Sequence, residues 1–189
     1  MNKLKQKLKH KKSASDVISN PVFGGYIPDE IHPIVTKGIE YMSLPENLET
    51  EGLFRISGDI THLNHLKEEF NKGKYDDPDK INMHELSKSN VHNTASLLKM
   101  YFREMAEPLL TFDHYDMFIA AHGVPEKETR LVVIKKVLKF LPRKNMQLLK
   151  MLCQFLNTIA SFSHLNKMVS PNLAIVFAPN LLRPRGAEL

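Results

Sequence analysis

Two stretches of this chain place their inward-facing residues at alternating steps of four and three, and that spacing constrains the fold more than any other feature. One stripe runs Val91, Ala95, Leu98, Phe102, Met105; the other runs Asn145, Leu149, Leu152, Leu156, Ile159. At 3.6 residues per turn, such steps keep side chains on one face of a helix. Strands require alternation at every second residue, and the chain has almost none. Pro33 opens a helix whose apolar face is Ile34, Val35, Ile39 and Met42, with Pro45 after it. Leu63, Leu66 and Phe70 predict a helix over 61–71, with Gly73 just beyond. Further helices are predicted over 113–121 (closed by Gly123), 126–140 (ended by Leu141-Pro142) and 169–178 (entered through Pro171 and ended by Pro179). Tyr75 to Lys88 reads as a polar loop. Seven or so helices with short connections predict an all-α, single, compact domain over 21–189, preceded by a tail and linker over 1–20.

The totals narrow the function classes. A chain of 189 residues supports one sizeable core. One cysteine, Cys153, excludes an internal disulfide framework and suits a reducing compartment. No apolar run approaches the roughly 20 residues that cross a bilayer, and no secretory signal opens the chain. A cytoplasmic protein is the expectation. The net charge of +5 is concentrated: residues 1–12 hold six lysines and no acid, leaving 20 basic and 21 acidic residues elsewhere. A near-neutral body argues against nucleic acid as a partner. The tail reads as a solvated linker, with weak docking on anionic lipid as the alternative.

The chain carries no phosphate loop of the G-x-x-x-x-G-K-[ST] kind and no G-x-G-x-x-G turn after a strand. Cys153 sits among Met151, Leu152, Phe155 and Leu156, which predicts a buried, inert thiol. His62 and His65 lie three apart, yet no Cys, Asp or Glu cluster completes a metal site. No self-sufficient catalytic constellation emerges. What remains is polar: His92, Ser96, Lys99 and Arg103 step along one helical face, with Lys99 and Arg103 one turn apart. That face is either solvated, with long stems lying on apolar surface, or set against an anionic partner. Arg55 lies in a stretch without clear periodicity, between Gly52 and Gly58, where a shaped loop is expected.

The run Glu51-Gly52-Leu53-Phe54-Arg55-Ile56-Ser57-Gly58 resembles the arginine-finger motif of Rho GTPase-activating (RhoGAP) domains. Three further blocks follow in the family's order. Ala95 to Lys99, Phe102 to Glu104 and Glu107 to Leu110 resemble the second, Asn166-Lys167-Met168 the third, and Asn172 to Leu182 the fourth. The resemblance spans roughly Phe23 to Pro184. It implies a multi-helix domain with an arginine-finger loop that activates Rho-family small GTPases. In that family Arg55 matches the finger, Lys99 and Arg103 match basic residues that steady its loop and touch the GTPase, and Asn172 matches the asparagine reaching the GTPase switch region. Pro179 matches the proline of the loop closing that helix. The resemblance further implies a Rho- or Rac-type partner in its GTP-bound form. GTP and Mg would be held by that partner, so this chain would need no cofactor and would be no enzyme on its own. Met105-Ala106 and Ala178 depart from the family's common Leu-Pro and Gly, and RhoGAP domains commonly continue into a further helix beyond the point where this chain stops.

Overall fold

Local chemistry at the start of each helix accounts for much of the architecture. In the computed structural model, which describes residues 20–187, Pro33 begins α1 (Pro33–Met42), and His32 Nδ1 accepts a hydrogen bond from Ile34 N at 3.1 Å. Pro45 does more than follow that helix: it opens the short α2 (Pro45–Leu48), where a first-turn position has no need of the missing N–H. Asp59 caps α3 (Ile60–Asn71), its carboxylate accepting from Thr61 N and His62 N at 3.0 and 3.2 Å. The stretch expected to be loop contains a 3₁₀ turn at Pro78–Lys80 and the four-residue α4 (Met83–Leu86). Tyr75, Ile81 and Met83 are buried there, too few and too close together to register as a period. Asn90 caps α5 (Val91–Glu104) by accepting from His92 N at 3.0 Å.

The second half comprises α6 (Tyr115–His122), α7 (Lys127–Leu138), α8 (Arg143–Ser161), α9 (Ser163–Asn166) and α10 (Ser170–Leu181). No strand occurs among the described residues, so the expectation of an all-α domain holds. Helix α5 is central, packing against α1, α3 and α10. All five residues of its stripe are buried, as are Leu97, Met100 and Tyr101. Helix α8 packs on α10 and buries Leu148, Leu152, Phe155 and Ile159.

Two expectations are corrected. Helix α10 does not stop at Pro179 but runs through it to Leu181. Proline cannot donate to the carbonyl one turn back, here Ile175 O, yet the helix resumes beyond it: Leu182 N donates to Ala178 O at 3.0 Å, and Asn180 Nδ2 adds a bond to Val176 O at 2.7 Å. Cys153 is exposed rather than buried, because one step past Leu152 turns the side chain about 100° away from the packed stripe. Partial desolvation raises its pKa and keeps it a thiol.

Candidate functional site

The loop between α2 and α3 is set by what it buries. Leu53 and Phe54 are fully buried, and the Phe54 ring meets Phe177 of α10 at 4.8 Å and Phe155 of α8 at 6.1 Å, both edge-on. Burying a phenylalanine contributes about 2–3 kcal/mol, which offsets the left-handed backbone of Phe54 (φ 70°), a strain of about 1–2 kcal/mol. Gly52 also sits at positive φ (71°), and its carbonyl accepts from both Arg55 N and Ile56 N, at 2.8 and 2.9 Å. The next side chain is thereby turned outward. Arg55 is exposed, and its guanidinium makes only a loose contact with Glu51, at 3.8 Å. Such a surface pair is worth about 0–1 kcal/mol and releases readily.

Four further hydrogen bonds clamp this loop to the rest of the fold. Lys99 Nζ donates to Phe54 O at 2.5 Å, Gly58 N donates to Ser96 Oγ at 2.9 Å, and Asp59 N donates to Asn93 Oδ1 at 2.8 Å, all toward α5. On the other side, Gly52 N donates to Asn166 O at 2.8 Å. A side chain at Gly58 has no room: its Cβ would lie 2.5 Å from Asn93 Oδ1 and 2.9 Å from Asn93 Cα. Asn166 is itself fully buried. Its Nδ2 donates to Leu48 O and Ile159 O at 2.8 and 2.9 Å, and its Oδ1 accepts from Met168 N at 2.8 Å. One side chain thus ties together the end of α2, the end of α8 and the entry to α10.

Of the residues singled out in the sequence, Arg55, Lys99 and Arg103 come together around this loop. Lys99 is half-buried and aimed inward at Phe54, whereas Arg103 one turn on is exposed and lies 3.6 Å from Glu104, which also holds Lys67 at 2.6 Å. Desolvation, and then the charge of Arg103, lower the pKa of Lys99. A groove of about 320 Å³ beside them is lined by Ser57, Gly58, Ile60, Ser96, Lys99 and Arg103. Asn172 occupies the first turn of α10, its Nδ2 donating to Lys167 O at 3.3 Å, next to the Asn166 that anchors Gly52. Pro179 is exposed two turns further along, and Ile175, 75% exposed, lies between them. His62 is turned to Leu86 O at 2.6 Å and His65 to Glu69 at 3.5 Å. Asn93 escapes sequence reasoning, and Asn166 enters it only as part of the third family block with no role attached, because a buried polar residue within a helix leaves no periodic mark.

Known proteins resemble this chain in sequence and in fold. The RhoGAP domain family profile matches residues 33–186. The chain is 43% identical over 142 residues to the Rho GTPase-activating protein gacN of Dictyostelium discoideum, a match covering 75% of this chain and 22% of that protein. It is 40% identical over 160 residues to the Rho GTPase-activating protein 68F of Drosophila melanogaster, covering 85% and 32%. The chain therefore spans between about a fifth and a third of these relatives. Its fold is similar to the crystal structure of human Rho GTPase activating protein 15, with a TM-score of 0.77 at 25% identity, covering 98% of this chain and 88% of that one. A profile matching residues 33–186, with relatives at 40% and 43% identity, leads to one classification: the chain belongs to the RhoGAP domain family.

Proposed function

We propose that this domain accelerates GTP hydrolysis by a Rho-family small GTPase, such as a Rho or Rac, by inserting Arg55 into the partner's nucleotide site. One observation carries this reading: a single guanidinium is left exposed directly after two fully buried residues, Leu53 and Phe54, on a loop whose backbone is clamped on both sides. As the γ-phosphoryl group departs, negative charge grows on the oxygens between it and the β-phosphate. A permanently charged, planar fork reaches two such oxygens at once, in a site where its approach excludes water. Arginine fingers of this kind supply about 10³–10⁵ in rate, or about 4–7 kcal/mol of barrier.

In this reading Lys99 steadies the loop from below, and Arg103 and Asn172 face the GTPase. Ile175 and Pro179 add apolar surface on the same side. The partner, in its GTP-bound form, holds GTP and Mg, so the domain requires no cofactor and performs no reaction alone. Residues 1–12, which lie outside the described residues, add weak attraction to anionic membrane, and the setting is cytoplasmic. The relatives' names support the partner class. The experiment is single-turnover GTP hydrolysis by a panel of purified Rho-family GTPases with and without the chain. Stimulation of at least one member is expected; stimulation of none overturns the reading.

A further inference from the structure

We propose that the outward face of α7 is a docking surface for an anionic lipid bilayer, separate from the Arg55 region. The near-neutral balance of the body conceals a strong partition: residues 129–187 hold ten basic side chains and no acid. Five of the ten are engaged. Lys144 reaches Asp29, Arg185 pairs with Asp113, Arg130 donates to Val124 O, Lys167 donates to His164 O, and Arg183 is buried against Met105 O. The other five, Lys135, Lys136, Lys139, Arg143 and Lys150, are exposed and have no ion-pair partner among the described residues.

Three of these cations alternate with apolar side chains on one face. Leu131, Lys135 and Lys139 form a column at i, i+4 spacing, and Val132, Lys136 and Phe140 form the column beside it. Every member is exposed; Leu131, Val132 and Phe140 are 46%, 51% and 64% exposed. Phe140 lies just past the helix end, its ring stacked on His114 with centroids 6.4 Å apart. The acids flanking this face along the chain include Glu126, whose carboxylate caps α7, Glu128 at the head of the second column, Asp116 in the first turn of α6, and Asp113, which Arg185 holds. A helix that is apolar over so much of its circumference is ordinarily covered, yet only Val137 of α7 is buried.

A bilayer interface fits this pattern. Aliphatic and aromatic side chains enter the headgroup boundary, while lysine stems extend so that their ammonium groups stay among the phosphates. A second copy of the chain would set lysine columns against lysine columns across a two-fold axis. A nucleic acid would use the cations through its phosphates and leave Leu131 and Val132 without a partner. Geometry leaves the Arg55 side free. Helix α8 starts at Arg143, beside Phe140, and reaches Phe155 under the Arg55 loop about 18 Å further along its axis.

The test is flotation of the full chain with vesicles of phosphatidylcholine, alone or with a quarter phosphatidylserine. Lys3, Lys5, Lys7, Lys9, Lys11 and Lys12 are all changed to Gln so that the tail does not mask the effect. Binding to the anionic vesicles and not to the neutral ones is expected. Each cation near an anionic surface raises affinity about fivefold, so the K135Q/K136Q/K139Q variant should lose about a hundredfold in partitioning. Phe140→Ser should lose severalfold, and both variants should melt like the parent. The proposal is overturned if the parent does not float with anionic vesicles, or floats equally with neutral ones. It is also overturned if the lysine variant binds unchanged. Loss in that variant with no effect of Phe140→Ser would point instead to a soluble polyanion or acidic protein, and overturns the bilayer assignment.

Discussion

The ammonium group of Lys99 and the carbonyl oxygen of Phe54 meet at 2.5 Å, joining the central helix to the residue just before Arg55. The contact satisfies an acceptor that the left-handed turn at Phe54 leaves without a helical partner. Lys99→Met keeps the stem and removes the donor. It should lower stability by about 1–2 kcal/mol, or about 3–6 °C in Tm. If Lys99 steadies a catalytic loop, stimulated hydrolysis should also fall more than tenfold, with affinity for the GTPase changing less. Thermal melts run beside single-turnover assays separate the two effects.

Arg55→Ala removes an exposed side chain whose only ion-pair contact among the described residues is the loose one to Glu51. The fold should not notice, with Tm unchanged within a degree or so. Stimulation should drop by about 10³–10⁵, while GTPase binding persists. Arg55→Lys restores the charge without the fork and should recover little. Stimulation of the GTPase by Arg55→Ala as strong as that by the parent would remove Arg55 from the mechanism.

Asn166→Ala should be the most damaging of these substitutions to stability. It strands Leu48 O, Ile159 O and Met168 N, all held now by one buried amide. Unsatisfied buried groups make a loss of about 3 kcal/mol the expectation, a fall in Tm of about 6–12 °C. Denaturant titration checks it; a loss under about 1 kcal/mol would mean water replaces the amide.

Acid should weaken the fold through His32. Its Nδ1 accepts from Ile34 N, and its ring packs between Phe70 and Tyr101, so the neutral form is the native one. Desolvation lowers its pKa below the ordinary 6.5, only partly opposed by the carboxylate of Asp76. The stabilisation is therefore fully present above about pH 6.5, where folded and unfolded states are both neutral. It is lost as the pH falls through the folded pKa, because the unfolded chain takes up the proton first. His32→Asn retains an acceptor at the cap and should flatten this part of the stability–pH curve. His92 titrates in the same direction from a similar desolvation, and the His32→Asn, His92→Asn pair separates the two.

The helices were legible wherever burial follows a period. Both four-and-three stripes are core, apart from the half-buried Leu156. Misreadings came where one residue's surroundings decide. Pro179 was expected to stop a helix, but the helix runs through it to Leu181, with Leu182 N still donating to Ala178 O. Cys153 has apolar neighbours in sequence, yet these lie around the helix from it rather than beside it. The α4 stretch is held by isolated buried side chains, and such contacts leave no pattern. Around Arg55 the position of the loop and, through the family resemblance, the support from Lys99 were legible, whereas the roles of the buried asparagines were not. Asn93 and Asn166 act through hydrogen bonds to segments distant along the chain, which only the folded arrangement brings within reach.

The bond from Gly52 N to Asn166 O makes the Arg55 loop part of the deep architecture rather than an appendage. Most surface loops open locally and exchange their amide hydrogens with water far more readily than core helices do. Here, opening at Gly52 means prising a backbone strand from the junction of three helices, so its amide should exchange as slowly as those of α5. The loop cannot be treated as a cassette. Grafted onto another helical scaffold without a buried asparagine at the matching junction, the same eight residues from Glu51 to Gly58 would display an arginine but not hold it still.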